Sequence, residues 1–136
     1  MTGFLVSLQS ATQSERLEQV ASFVGEDASG SFGLMRGHAR FVTSLVFGMA
    51  RIRYLDGRRE YLALPEAVAY FEGDVLTLSS RRYLRDADYS RISRRLRDEL
   101  LQEETQLVEI KHSLEQMERA MLVRLWRLGR DQEATT

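Results

Sequence analysis

The segment DADYSRISRRLRDELLQEETQLVEIKHSLEQMERAMLVRLWRL, residues 86–128, contains neither glycine nor proline. Its apolar residues recur mostly at steps of three and four, which places them on one side of an α-helix. Between Leu107 and Met121 the steps are three, four, three and four. This is the 3.5-residue period of a helix that packs along another helix. The segment therefore predicts a helical arm.

Two arrangements of this arm are open. A single unbroken helix would be roughly 65 Å long at ~1.5 Å per residue, which is too long to be buried against the residues that precede it. Either the chain folds back as a two-helix hairpin near residues 102–106, with Thr105 capping the second helix, or one long helix leans on another protein. Asp86 or Asp88 is expected to cap the start of the arm, and Gly129 to end it.

The residues before Arg81 form short apolar runs separated by turn signals. Glycine-rich residues 25–33 are interpreted as a loop. Asp56-Gly57 predicts a two-residue hairpin turn because both residue types readily adopt positive φ, and residues 72–74 predict a second hairpin turn. The predicted strands are Phe4–Leu8, Leu17–Val24, Phe41–Val46, Met49–Leu55, Arg58–Leu64, Ala67–Phe71 and Val75–Leu78.

Closely spaced strands with tight turns are typical of an antiparallel β-sandwich or barrel. The expected fold class is therefore β + α, with a β-sandwich domain over residues 1–82 and a C-terminal helical domain over residues 83–136. The length of 136 residues and the hydrophobic fraction of 43% suit one compact domain with an appendage.

The composition also indicates in which cellular compartment the protein is expected. The chain has no cysteine, which excludes disulfides and thiolate metal sites. No apolar run approaches the ~20 residues needed to cross a bilayer, and the first residues lack the pattern of a signal peptide. We expect a cytoplasmic protein that does not insert into the membrane.

The basic residues are unusual, because all but Lys111 are arginine and seven of them lie between Arg81 and Arg97. Arginine favours bidentate pairing with carboxylates or phosphates. These arginines either bond to neighbouring acids on an exposed helix face or bind an acidic protein or a phosphate ligand. One possible function of this arginine-rich helix is therefore that of a nucleic-acid-binding or coiled-coil adaptor, which we keep as the alternative to the function inferred below. Interleaved acids, few aromatic residues and a pI near 6.1 disfavour nucleic acid.

Signatures of catalysis are missing from the sequence. His38 and His112 are far apart, and there is no P-loop, zinc-protease or serine-hydrolase motif. The segment Gly30-Ser-Phe-Gly33 lacks the spacing of a dinucleotide fingerprint. We expect no enzyme active site and no metal site. His38 is either a loop histidine bonded to backbone or a polar contact in a protein interface.

Several ordered motifs resemble the ε subunit of F-type ATP synthases. The segment GSFGLMRGHARFV, residues 30–42, is similar to the glycine- and histidine-containing loop of that family. Gly48-Met49 falls at the family's step into a strand. Residues 60–64, 67–68 and 73–78 continue the match, which covers roughly residues 4–84. The closer likeness is to the ε subunit of the alternate, N-type F1Fo ATPases, which share the 30–34 segment, the Arg36-x-His38 pair and Phe41-Val42.

This resemblance implies a ten-stranded β-sandwich followed by two helices. It implies a non-catalytic rotor subunit of the central stalk, peripheral to the cytoplasmic face of the bacterial inner membrane. In that family the sandwich binds γ and sits on the c-ring. The helices can extend towards the α and β subunits and inhibit ATP hydrolysis. The interface residues implied for the sandwich are Ser31, Phe32, Met35, Arg36 and His38, and those of the regulatory arm are Arg94, Arg95 and Arg97.

Many bacterial ε subunits bind ATP through an Ile/Leu-Asp-x-x-Arg-Ala motif at the start of the first helix. Residues 87–92 here read ADYSRI, which keeps Asp88 and Arg91 but changes both apolar ends. The same two residues also form an ordinary i,i+3 pair on a helix. No cofactor is therefore expected, with ATP at Asp88 and Arg91 as the alternative. Ser31 replaces a common acid, and Arg40 and Phe47 stand where prolines are usual.

Overall fold

The computed structural model describes residues 2–134, and side chains as far as Arg130. The described residues form nine strands rather than the expected ten. The strands are β1 Phe4–Gln9, β2 Ser14–Asp27, β3 Gly30–Met35, β4 Phe41–Leu45, β5 Gly48–Tyr54, β6 Arg59–Leu64, β7 Ala67–Glu72, β8 Val75–Ser80 and β9 Leu84–Asp86. The helical elements are α1 Tyr89–Arg95, a π-helix Leu96–Leu101 and α2 Gln102–Ala134.

The strands form a sandwich with the expected β + α order. One layer runs β2–β1–β8–β7–β4 and the other β3–β2–β5–β6–β9, so β2 belongs to both. Among the described strands, β1 and β8 pair in parallel and the other pairs are antiparallel. The core between the layers is apolar. Its largest fully buried side chains are Phe23, Phe71, Leu8, Leu34, Ile52, Leu62, Leu76 and Leu78.

Strand β2 passes from one layer to the other at Gln19, whose φ is 57°. Its first half pairs with β1, and its second half lies between β3 and β5. The carbonyl of Gln19 accepts a hydrogen bond from the amide of Leu55 at 2.9 Å. A Cβ on Gly3 would lie 2.6 Å from the carbonyl oxygen of Val20. Glycine at position 3 therefore permits the close approach of the two chains at this bend.

The predicted loop over residues 25–33 is wrong. Gly25 lies within β2 and pairs with Phe32 of β3. A Cβ at Gly25 would lie 2.9 Å from the ring of Phe23 and 3.2 Å from that of Phe32. This glycine therefore makes room for two aromatic rings, and the hairpin turn itself is confined to Ala28-Ser29.

The predicted two-residue turn at Asp56-Gly57 is also wrong. Only Gly57 has a positive φ there, at 91°. Its amide donates to the carbonyl of Tyr54 at 3.0 Å, and the amide of Tyr54 donates to Arg58 at 2.9 Å. This is the pattern of a three-residue hairpin loop that ends in a glycine bulge. The two-residue turn with two positive φ angles occurs instead at Gly73-Asp74, where both are 58°.

Helix α1 and the π-helix cover part of the outer face of the second layer. Ile92 and Leu100 are fully buried there with Ala63 and Leu84. Strand β6 is therefore buried on both faces at Leu62, Ala63 and Leu64. The predicted boundary at residues 82/83 stays a prediction. By its internal contacts, the chain as far as Leu101 forms one compact unit, and the chain from Gln102 forms another.

Helix α2 is a single helix of 33 residues. The chain does not turn back at residues 102–106, and Thr105 lies inside the helix rather than capping a second one. Gly129 also lies inside α2, because a glycine costs only ~1 kcal/mol within a helix and does not by itself end one. Large apolar side chains along α2 are exposed, among them Leu107, Ile110, Leu114, Met117, Met121, Leu125 and Leu128.

An ionic network joins the two layers at β9. Arg85 donates to Glu60 of β6 at 2.6 Å and also pairs with Glu15 of β2. The hydroxyls of Tyr54 and Tyr83 donate to Glu60 and Glu15, each at 2.8 Å. Burial and the hydrogen bond to the carboxylate raise the pKa of each tyrosine to about 12. Both hydroxyls therefore remain protonated donors at neutral pH.

We predict that Arg85→Ala destabilises the sandwich, because it leaves Glu15 and Glu60 partly buried without their cation. The side chains of Arg85, Glu15 and Glu60 are 28%, 29% and 18% exposed. The loss is therefore expected below the 3–5 kcal/mol of fully buried pairs, at about 1–3 kcal/mol. Denaturant unfolding measures it, with the exposed Arg16→Ala as control. Equal stabilities of the two variants would contradict the prediction.

Candidate functional site

Two turns and Thr2 meet at one place on the sandwich. We call this the turn cluster: the β3–β4 turn Arg36–Arg40, the β7–β8 turn Gly73-Asp74, and Thr2. Arg36 and His38 were predicted as interface residues, whereas Asp74 and Thr2 were not. The side chain of Arg36 pairs with Asp74 at 3.5 Å and donates a hydrogen bond to the hydroxyl of Thr2.

Asp74 holds the turn cluster together. Its Oδ1 accepts the backbone N–H of Gly37 at 2.7 Å, and its backbone carbonyl accepts the N–H of Leu5 at 3.1 Å. Gly37 has a φ of 86°, and the amide of His38 closes the turn by donating to Met35 at 3.2 Å. A single carboxylate thus fixes the β3–β4 turn to its neighbour. The signal in the sequence was the Gly-Asp dipeptide, which was interpreted only as a turn.

His38 is a loop histidine bonded to backbone, as one of the two interpretations of its sequence context expected, and its role in an interface stays a prediction. Its Nδ1 lies 2.7 Å from the carbonyl oxygen of Ala39, which accepts the bond and so places the ring proton on Nδ1. The ring meets Phe41 and Phe71 edge to face, with centroids 5.7 and 6.0 Å away. The residue is nevertheless exposed. It is bonded to backbone and remains accessible at the surface.

The other predicted interface residues differ in accessibility. Ser31 is exposed on β3, and Met35 is 60% exposed at its end. Phe32 is partly buried, with its ring 5.1 Å from that of Phe41 and 6.2 Å from that of Phe23. It packs against the core. Arg40, which was not predicted as a contact, lies over the ring of Tyr70 at 5.7 Å.

Asp88 and Arg91, the predicted nucleotide residues, have local roles. Asp88 caps α1 by accepting the amide of Arg91 at 3.0 Å. The guanidinium of Arg91 bonds instead to Asp86, at 2.6 Å. These bonds, with one from the amide of Asp88, hold the pKa of Asp86 well below its ordinary value. The two side chains therefore do not pair with each other. ATP binding at them stays a prediction.

Of the arginines predicted for the regulatory arm, one forms an ion pair and two are exposed. Arg95 donates to Glu99 at 2.7 Å, and Glu99 also lies 3.4 Å from Arg82. Arg94 and Arg97 are exposed. Pairing with nearby acids therefore accounts for several arginines of the 81–97 segment, as the first of the two sequence interpretations expected.

Within the described residues, no three acidic, histidine or cysteine side chains come together as a metal site would require. None of the described helices is long and apolar enough to span a membrane. The described residues form a β-sandwich followed by helical elements, and the candidate site is the exposed turn cluster.

Comparison with known proteins identifies the family. Residues 5–86 match the model of the ATP synthase delta/epsilon chain β-sandwich domain. The chain belongs to this family. The resemblance to F-type ε subunits is therefore confirmed, whereas the N-type subgroup stays a prediction. No curated protein matched the chain.

Two solved structures share the fold at low sequence identity. A chain of the Euglena gracilis mitochondrial ATP synthase (OSCP, F1 and c-ring) is similar with a TM-score of 0.58 and 15% identity, covering 69% of this chain and 61% of that one. A chain of the Tetrahymena thermophila mitochondrial ATP synthase central stalk and c-ring gives 0.51 and 9%, covering 59% and 64%. The match thus spans less than two thirds of each of these chains.

We predict that Asp74→Ala loosens the β3–β4 turn without unfolding the sandwich. The amide of Gly37 would lose its acceptor, and its hydrogen exchange should accelerate roughly two- to tenfold. Asp74→Asn should keep most of the protection, because asparagine retains an acceptor oxygen and tolerates a positive φ. Asp56→Ala, in the other aspartate-glycine turn, is the control. Unchanged exchange at Gly37 in Asp74→Ala would refute the role given to the carboxylate.

Proposed function

We propose that the protein is the ε-type central-stalk subunit of an F1Fo ATP synthase or ATPase of the N-type group. It has no active site of its own and is peripheral to the cytoplasmic face of the bacterial inner membrane. The observation that carries this proposal is the family match over residues 5–86, whose end coincides with the end of β9 at Asp86. One similar structure contains OSCP, F1 and the c-ring, and the other the central stalk and c-ring, which supports γ and a c-ring as partners.

The turn cluster is proposed as the contact with the c-ring. It offers an arginine and a histidine on turns that internal hydrogen bonds already hold in place, beside the exposed Met35 at the end of β3. Pre-ordered groups lose less conformational entropy on binding than flexible ones. Methionine and arginine are also enriched at protein interfaces. Ser31 and Phe32 contribute from β3, the first as an exposed polar group and the second by supporting Phe41.

We predict that Arg36→Glu combined with His38→Ala weakens docking on a γ–c-ring assembly. The change reverses one charge beside Asp74 and removes the ring that packs on Phe41 and Phe71. Co-purification with γ and the c-ring should fall at least severalfold. Arg58→Glu is a matched control, because Arg58 also pairs with a turn aspartate, Asp56, at 2.7 Å. Undiminished co-purification of the double variant would remove the turn cluster from the interface.

The helical segment is proposed as the regulatory arm. A 33-residue helix with large exposed apolar side chains is suited to pack along helices of a partner. The exposed Arg94 and Arg97 are suited to acidic surfaces of the α and β subunits. A close-packed sandwich supplies the stiffness that a rotor subunit needs, because such interiors compress little.

We predict that truncation after Leu101 raises ATP hydrolysis by the assembled complex while the subunit still binds γ. This cut keeps β9, Arg85 and the buried Ile92 and Leu100, whereas a cut after Ser80 would remove part of the core. Truncation after Arg130 keeps the apolar side chains of residues 107–128 and should leave hydrolysis unchanged. Hydrolysis rates of the three complexes test this. An unchanged rate of ATP hydrolysis after truncation at Leu101 would contradict a regulatory arm.

A further inference from the structure

A charged surface lies on the outer face of the second layer. Arg51 and Arg53 of β5 and Arg59 of β6 are all exposed there. Arg53 lies directly opposite Arg59 across the two strands, and Arg51 lies two residues along on the same side of β5. We call these three residues the arginine triad.

The arginine triad has no internal charge partner. In the part of the chain that the structure describes, none of the three forms an ion pair or side-chain hydrogen bond. Other arginines of the sandwich do, as Arg58 with Asp56 and Arg85 with Glu60 show. Like charges opposite each other in a sheet are destabilising. The strand pairing therefore maintains a repulsion that an external carboxylate would relieve.

The spacing of the triad suits carboxylates on a helix. Directly opposite residues on neighbouring strands have Cβ atoms ~5 Å apart, and residues i and i+2 on one strand lie ~6.8 Å apart. Acidic residues at positions i and i+4 of an α-helix are about 6 Å apart. Two turns of such a helix therefore bring carboxylates within reach of all three guanidinium groups, which favour bidentate pairing.

The neighbouring residues leave room for a partner. Across β5, Arg53 faces Ser22 of β2, and Arg51 faces Val24. Both neighbours are small. On the β6 side Arg51 faces Tyr61, whose ring meets Tyr89 of α1 edge to face at 5.4 Å. A helix can therefore approach over β2 and β5, with this tyrosine pair as one border.

We propose that the arginine triad is a docking surface for an acidic helix of a partner protein, with carboxylates at i and i+4 spacing. Nucleic acid fits it less well. Three cations offer few phosphate contacts. The ring of Tyr61 is engaged with Tyr89 rather than free to stack on bases. The proposal does not rest on the stalk assignment, although Met35 lies in the same cross-strand row as Ser22 and Arg53.

The test uses the full chain and a fluorescein-labelled 20-residue alanine-based helical peptide with glutamates at i and i+4. Binding is followed by anisotropy. We expect binding that weakens with added salt and falls at least fivefold in Arg53→Glu. The affinity of Arg53→Lys for the peptide should lie between that of the unchanged chain and that of Arg53→Glu, because lysine keeps the charge but not the bidentate geometry. Arg16→Glu makes the same charge change on an exposed β2 residue, and should bind like the unchanged chain.

A second measurement does not depend on the peptide. Arg53→Glu places a carboxylate directly opposite Arg59 and replaces a repulsion by an attraction. The thermal stability of this variant should therefore rise, whereas that of Arg16→Glu should not. Absence of peptide binding, or an equal loss in Arg16→Glu, would overturn the docking surface. Tighter, Arg53-dependent binding of a 20-residue oligothymidylate or of phosphatidylcholine–phosphatidylglycerol vesicles would also overturn it, by assigning the triad to a different class of partner.

Discussion

The structure depends on the passage of β2 from one layer to the other. One strand of 14 residues supplies a pairing edge to β1 in the first layer and to β3 and β5 in the second. The bend at Gln19 makes this possible, and the missing side chain of Gly3 lets the chain lie against it. Because the two layers share a strand, neither can shift its register without straining the other. The core and the positions of the turns follow from that constraint.

A second link between the two layers lies at β9, where the side chain of Arg85 pairs with Glu15 of the first layer and Glu60 of the second. The compact unit extends beyond the strands to Leu101 because Ile92 and Leu100 are buried against the outer face of the sheet. Strand β9 brings Leu84 to the outer face of the sheet, and α1 and the π-helix then bury Ile92 and Leu100 beside it. Residues that the sequence pattern places in a helical domain thus complete the sandwich. The long series of large exposed apolar side chains, from Leu107 to Leu128, lies in α2.

Periodicity predicted seven of the nine strands and the helical segment, because alternation and the three–four spacing reflect which faces are buried. It did not predict β3, which was interpreted as a loop, or the three-residue β9. It could not distinguish among glycines. Gly25 makes space for aromatic rings, Gly57 forms a bulge and Gly73 a two-residue turn, and each role depends on residues distant in sequence. The same limit applies to the turn cluster. Arg36 and His38 were found through a family resemblance, whereas Asp74 could be recognised only once two hairpins were seen to lie side by side.

The arginines show how one residue type is divided between folding and recognition. Those with carboxylates nearby are used inside the compact unit: Arg85 joins the layers, Arg91 fixes the start of α1, and Arg95 pairs within the helical elements. A lysine could not replace Arg85 equally well, because its ammonium cannot bond in a planar fork to Glu60 while also reaching Glu15. The arginine triad carries the same fork geometry with no carboxylate supplied by the described chain. None of these three charges forms an ion pair within the described residues, and the like charges of Arg53 and Arg59 oppose the pairing of their strands. This is the physical basis for proposing an acidic partner from outside.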